Sequence, residues 1–252
     1  MNSVIETLLA HSSVRSFQEK QLSEEQIRTI VKSAQAASTS SFVQAYTIIG
    51  VKDPEKKEKL AILAGNQSYV AKNGHFFIFC ADLHRHLLAA EMEGLASKDV
   101  SESLESTEMF MVSLIDAALA AQNAAIAAES MGLGICFIGG IRNHLPEVSE
   151  LLKTPDRVIP LFGLAVGFPD KKVGTKERLP FENIYHEEEY LQDKDQLKEQ
   201  LTEYNDVISA YYNERTGGKR KDRWTEQIAV KLTNPARLYM KEFLQSKHIP
   251  LK

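Results

Sequence analysis

The segment His11-Ser12-Ser13-Val14-Arg15-Ser16-Phe17 sets an imidazole, three hydroxyls and a guanidinium within seven residues. That set binds anions: a guanidinium grips a phosphate bidentately, while hydroxyls and helix-end N–H groups add neutral hydrogen bonds. A lone Ser/Arg turn ordinarily just caps a helix, so the segment gains weight only alongside other pieces of the same character. Downstream come a hydroxyl cluster, Ser38-Thr39-Ser40-Ser41-Phe42, and a paired-glycine turn, Phe137-Ile138-Gly139-Gly140-Ile141-Arg142-Asn143. Paired glycines after a strand let a planar ligand or another backbone approach closely. Lys176-Glu177-Arg178-Leu179-Pro180 then supplies two cations. The four pieces suit a flat ligand with a phosphate tail. A fifth stretch, Arg215 to Arg223, holds five basic residues against one acidic, around Gly217-Gly218; by itself such a run is ordinarily a solvated loop.

Several chemistries are disfavoured. In Gly132-Leu133-Gly134-Ile135-Cys136-Phe137 a phenylalanine stands where the Rossmann fingerprint needs its third glycine, and the glycines precede a strand instead of following one. The sequence has no G-x-x-x-x-G-K-[ST], no G-x-S-x-G, no H-E-x-x-H and no metal-ligand spacing. What remains is a dispersed binding site.

The elements that must position these residues are legible in the apolar pattern. Ser23-Glu24-Glu25-Gln26 has the form of a capping box and opens a helix to about Ala37. Apolar runs at Tyr46 to Val51, His75 to Ala81, Ile135 to Ile138 and Val158 to Val166 read as strands, apolar enough on both faces to be central and covered by helices. Met109 to Met131 is alanine-rich and interrupted by Asp116, Gln122, Asn123 and Glu129, which reads as a core helix and not a membrane span. After Lys171 the chain turns polar, with helices expected at Asp195 to Tyr212, Thr225 to Thr233 and Ala236 to Gln245. Their apolar positions Leu197, Leu201, Val207, Ile208 and Tyr211 need a surface to cover.

The 252 residues suit one large domain or a domain with an arm, and the net charge of −4 offers no global field for nucleic acid or an anionic membrane. Cys80 and Cys136 sit in strand-like apolar runs and read as buried reduced thiols of a cytoplasmic protein. The N-terminal stretch lacks the basic and apolar regions of a signal peptide.

Taken in order, the motifs resemble the nitroreductase superfamily, specifically its NADPH-dependent, oxygen-insensitive nitroreductase and NADPH–FMN oxidoreductase branch. The resemblance spans nearly the whole chain. It rests on His11-x-Ser13-Val14-Arg15-x-Phe17, Ser40-Ser41-Phe42-x-Gln44, Gly65-x-Gln67, Ala120-Ala121-Gln122-Asn123, Ala127-Ala128-Glu129-Ser130-x-Gly132-Leu133-Gly134, Ile138-Gly139-Gly140-x-Arg142-Asn143, Leu161-Phe162-Gly163-Leu164 and Lys176-x-Arg178-Leu179-Pro180. It departs at two positions: members often carry arginine where this chain has Ser12, and often carry serine where it has Thr39.

The resemblance implies an α+β fold: a central mixed β-sheet flanked by helices, in an intertwined homodimer with a helical C-terminal arm. Residues 1–170 would form the flavin-binding core. Residues 171–252 would complete the phosphate site, the NADPH loop and the dimer contacts within the same structural domain. Non-covalent FMN would be held at its phosphate by Arg15, Lys176 and Arg178, with His11 and Ser13 nearby. Gln67 and Tyr69 would meet the isoalloxazine edge, and Ile138, Gly139 and Gly140 would run along the ring. Ser38, Thr39, Ser40 and Ser41 would reach in from the partner subunit near Asn143. Arg215 and Arg220 would read the 2′-phosphate of NADPH, and Phe42 and Arg237 would line the substrate side.

The implied activity is ping-pong: hydride passes from NADPH to FMN, and a nitroaromatic, quinone, azo compound or free flavin is then reduced by two electrons. The chemistry belongs to the cofactor, so no side-chain nucleophile is needed. Two other readings fit much of the sequence: a flavin-binding redox sensor or FMN carrier with little turnover, and a dedicated supplier of reduced flavin to a partner enzyme.

Overall fold

The computed structural model describes residues 2–171 and 173–250. It divides into two compact units, one formed by residues up to Val173 together with Tyr239 onward, the other by Gly174–Leu238.

The first unit is built on four strands, β1 (Tyr46–Val51), β2 (His75–Asp82), β3 (Gly134–Ile138) and β4 (Val158–Gly167), in the order β1-β2-β4-β3. The strand positions match the apolar runs almost residue for residue. All four pair antiparallel. The parallel component of the expected mixed sheet is one isolated bridge, Ser13 to Ile135. Only β2 and β4 are central in the order. β1 is an edge strand whose middle residues are partly exposed, against the expectation that all four would be central. Along β2 the pleat sends Phe76, Ile78 and Cys80 to one face and Phe77, Phe79 and Ala81 to the other, so both faces are core. Each fully buried phenylalanine contributes about 1.5–3 kcal/mol of hydrophobic stabilisation. The register slips between Phe79 and Cys80, which pair with Phe162 and Pro160. Leu161 is thus an extra residue beside a proline that has no N–H to give the ladder.

Helices α1 (Ser3–Leu9), α2 (Glu24–Gln35), α3 (Pro54–Leu63), α4 (Ser68–Ala71), α5 (His84–Met92), α6 (Ser97–Leu104), α7 (Thr107–Ser130) and α8 (Leu145–Leu152) precede β4 or separate the strands. The Ser23–Gln26 capping box forms as expected. On one face of the sheet α7 packs its alanines, Ala117, Ala120, Ala121, Ala124, Ala125 and Ala128, against Phe77, Phe79 and Leu164. Small side chains let the helix come close, and its carboxylate Asp116 is wholly buried. By length and composition α7 could cross a membrane; here it is the core helix of a packed sheet. The other face carries Leu60, Ala61 and Ala64 of α3, Val148 of α8, and Val14 and Phe17 from the N-terminal segment. Both cysteines are buried and free, and burial raises both thiols above their ordinary pKa.

The last helix begins later than expected. Residues 234–239 are not helical; Arg237 has φ 62°, and α11 spans Met240–Ser246. Asn234 precedes Pro235, which disfavours helical backbone there. Tyr239 then docks the segment, its hydroxyl donating to the Arg142 carbonyl (2.8 Å) and accepting from Leu145 N–H (2.8 Å).

The second unit contains α9 (Lys194–Arg215) and α10 (Trp224–Thr233). Its buried stripe is Tyr204, Asn205 and Ile208, whereas Val207 stays 44% exposed in this chain. Tyr204 meets Trp224 edge-on, and buried Asn205 accepts Thr225 N–H (3.0 Å) while donating to Thr225 Oγ1 (2.9 Å), fixing the start of α10.

Candidate functional site

The N-terminal segment is laid along the edge of the sheet. Ser13 bridges Ile135 in parallel, Val14 N–H donates to the Ile135 carbonyl (2.8 Å), and Phe17 bridges Pro169 just beyond β4. Val14 and Phe17 point into the core, and the intervening Arg15 is left exposed. Its guanidinium stands beside the Tyr69 phenol and near Cys136. Burial raises both the Tyr69 hydroxyl and the Cys136 thiol, and Arg15 opposes each shift. Tyr69 in turn donates to Gln67 Oε1, and Gln67 Nε2 donates to the Ala64 carbonyl (2.5 Å).

Gly140 lies against this group. A Cβ there would come within 2.2 Å of the Ala64 carbonyl oxygen and 2.6 Å of Gln67 Nε2, so only glycine fits. Asn143, in the same 3-10 turn (Gly139–Asn143), faces the loop at Gly65, with Nδ2 3.2 Å from where a Cβ would stand. Arg142 turns inward, donating to the Leu161 carbonyl (2.6 Å). The structure thus brings Arg15, Gln67, Tyr69, Gly140 and Asn143 into a connected chain of neighbours around β3 and its following turn.

His11 is held by a residue that carried no assigned role in the sequence. Its Nδ1 lies 2.7 Å from Glu129 Oε1 near the end of α7, where the carboxylate accepts. That bond fixes the ring and leaves Nε2 for another partner. Glu129 was legible only as one polar residue of an alanine-rich motif.

The hydroxyl loop is anchored elsewhere. Ser40 N–H donates to Asp116 Oδ1 (3.0 Å) and Ala45 N–H to Asp116 Oδ2 (2.9 Å). Between them Ser41, Phe42 and Gln44 adopt left-handed backbone, and Phe42 projects with 82% of its surface exposed. Asp116 belongs to the helix on the sheet face opposite Val14 and Tyr69. Within one chain, Ser38 to Phe42 and the Arg15 group therefore belong to opposite layers.

In the second unit, Lys176 and the basic loop converge on two tyrosines of α9. Lys176 Nζ donates to Tyr212 Oη (2.9 Å) and lies 4.7 Å from that ring's centre. Arg220 stacks over the same ring, 4.5 Å from its centre, and pairs with Asp222 (2.6 Å). Arg215 donates to Tyr211 Oη (2.6 Å). The Lys176 hydrogen bond lowers the Tyr212 hydroxyl below its ordinary pKa. Arg178 is exposed and donates to the Lys176 carbonyl (2.7 Å). Gly217 and Gly218 take left-handed backbone that turns the chain back on α9, where Gly218 N–H meets the Asn213 carbonyl (2.8 Å). Arg237 lies in the turn before α11.

Comparison with known proteins identifies the family of the chain. Residues 8–168 match the model of the nitroreductase family, and residues 176–252 match the nitroreductase family C-terminal domain. The FMN reductase (NADPH) of Bacillus subtilis strain 168 is 59% identical over 247 residues, covering 98% of both chains. Among solved structures, B. megaterium NfrA1 superposes with a TM-score of 0.96 at 64% identity, over 98% of this chain and 99% of that one. The NADPH:FMN oxidoreductase from Vibrio harveyi, complexed with NAD+, superposes with a TM-score of 0.88 at 35% identity over the whole of both chains. The sheet with its two covered faces, the ordered motifs and these matches over the full length establish that the chain belongs to the nitroreductase family.

Proposed function

We propose that this protein is an FMN-dependent NADPH oxidoreductase that reduces small planar oxidants by two electrons. The observation that carries the reading is the exposed Arg15 guanidinium beside Tyr69, Gln67 and the side-chain-free Gly140. A cation, an amide, a phenol and a bare backbone strip form the donor set that a phosphorylated planar cofactor needs. FMN, when bound, supplies a centre that accepts a hydride and passes two electrons to an acceptor.

The chain's own residues bind and orient. In this reading Arg15, Lys176 and Arg178 hold the flavin phosphate, with Ser13 and with His11 aimed by Glu129. Gln67 and Tyr69 face the ring edge, and Ile138, Gly139 and Gly140 run along the ring. The loop Ser38 to Ser41 serves the site of a second subunit in a homodimer, near Asn143, which accords with its anchorage in the opposite layer. Arg215 and Arg220 receive the 2′-phosphate of NADPH, and Phe42 and Arg237 border the acceptor. The name of the B. subtilis relative favours free flavin among the acceptors, ahead of nitroaromatics, quinones and azo compounds. The two buried free thiols accord with a cytoplasmic setting.

Titration of the purified protein with FMN and with riboflavin tests the reading. Tight binding of FMN and at least tenfold weaker binding of riboflavin is expected, because the phosphate supplies charge-assisted bonds that riboflavin lacks. Equal affinities would remove the phosphate site.

A further inference from the structure

Tyr212 stands at the centre of the cations in the second unit, and neither flavin binding nor acceptor binding assigns it a role. We propose that Tyr212 is a positioning residue for dinucleotide specificity: its ring holds Arg220 ready for the 2′-phosphate of NADPH. The proposal rests on the reading of Arg220 as the phosphate-binding residue.

Four observations converge on this ring. Arg220 lies over it at 4.5 Å, close enough for a guanidinium to be attracted by the ring's electron-rich face. Lys176 lies over it at 4.7 Å and also bonds its hydroxyl at 2.9 Å, which limits rotation of the phenol. Tyr211 packs edge-on against it at 5.3 Å, backed by Arg215. The backbone beneath is tied to the loop as well: the Tyr212 carbonyl accepts from Thr216 Oγ1 (2.7 Å), and Thr216 Oγ1 accepts from Arg220 N–H (2.9 Å). The side chain and the main chain of Arg220 are therefore both referred to Tyr212.

The geometry explains why an exposed arginine on a glycine-bearing loop would select a ligand. Free on the loop, Arg220 would lose much rotamer freedom on binding, which weakens any gain from the phosphate. Stacked on Tyr212, it is already ordered. Its present partner is the single carboxylate of Asp222, which is partly exposed and therefore a weak competitor. A 2′-phosphate brings more charge and a fork-matched set of oxygens, and can displace that carboxylate. NADH has no such group, so Arg220 keeps Asp222 and the stacking gains nothing.

The test is the ratio of kcat/KM for NADPH to that for NADH, measured at saturating FMN so that flavin affinity cancels. Y212L, which removes the ring face and the hydroxyl, is expected to lower the ratio about tenfold, chiefly through KM for NADPH. Y212F, which keeps the face but frees the ring from Lys176, is expected to lower it about threefold. R220A in parallel separates two failures. If R220A collapses the ratio and Y212L leaves it within twofold of wild type, the proposal is overturned while the Arg220 reading stands. If R220A itself leaves the ratio intact, the Arg220 reading fails and the proposal with it. Should Y212L not be recovered folded, an unchanged ratio in Y212F overturns the proposal.

Discussion

Asp116 Oδ1 accepts the backbone N–H of Ser40 across 3.0 Å, joining the middle of the core helix to the start of a left-handed loop. The second oxygen accepts Ala45 N–H at 2.9 Å, so one carboxylate satisfies both ends of the turn. It is wholly buried. Removing it strands two N–H donors, and leaving a buried donor unsatisfied costs about 1–3 kcal/mol each. D116A should therefore lower stability by about 2–6 kcal/mol in urea unfolding. D116N keeps one acceptor but turns its amide N–H₂ toward the other donor, so it should fall between D116A and wild type. A D116A variant as stable as wild type would contradict the anchoring role.

The Arg15 and His11 assignments make separable predictions. R15A should weaken FMN binding about 10- to 100-fold, the range expected for a charge-assisted pair, while riboflavin binding changes less than about twofold. E129A should weaken FMN binding by about 3- to 10-fold through a misaligned His11, again sparing riboflavin. Fluorescence titration with the two flavins reads both. An equal loss for FMN and riboflavin would place these residues at the ring and not at the phosphate.

Gly140 tests the close approach of the turn to α3. Because a Cβ would stand 2.2 Å from the Ala64 backbone oxygen, G140A must displace backbone instead of a flexible side chain. Overpacking of this kind costs about 1–3 kcal/mol. FMN affinity should drop as well, since the displaced loop carries Gln67. Thermal melts with and without flavin check both effects, and wild-type behaviour in each would show that the turn is not constrained.

Lys57 is buried with no carboxylate partner among the described residues, its Nζ donating to the Asn73 carbonyl at 2.6 Å, and burial lowers its pKa to about 8. In the unfolded chain the group titrates near its ordinary value of about 10.4. Between these values the unfolded chain binds more protons than the folded one, so stability rises with pH. Below pH 8 both states are protonated and the burial penalty, about 3 kcal/mol, is fully present. Stability should thus increase from about pH 8 to 10, and K57M should lose that rise. His75, lowered to about 4 by burial and by the charges of Lys52 and Lys57, adds a separate dependence. It contributes stability above about pH 6.5 that is lost as pH falls toward 4. Urea unfolding across pH 4 to 10 reads both windows.

The strands were legible because β2 and β4 are short runs, apolar on both faces and rich in aromatic and β-branched residues. Their direction was not legible, since an apolar run carries no trace of whether its neighbour is parallel. The start of α11 escaped for a local reason: Met240, Phe243 and Leu244 keep helical spacing, but Pro235 and the left-handed Arg237 break the backbone before them. The Arg15, Gln67 and Gly140 group was legible through residue type and motif order. Asp116 and Glu129 were not, because each is one carboxylate in an alanine-rich helix and its partner lies 76 or 118 residues away. A sequence shows such residues as interruptions of an apolar run; only the fold shows what they hold.

Binding of FMN and uptake of electrons from NADPH are tested together by one measurement, the visible spectrum of the FMN-loaded protein under anaerobic conditions during addition of NADPH and, separately, NADH. Stoichiometric bleaching of the bound flavin by NADPH, with markedly slower bleaching by NADH, is the predicted result. A protein that takes up no FMN, or bound flavin that neither nucleotide bleaches, would contradict the account.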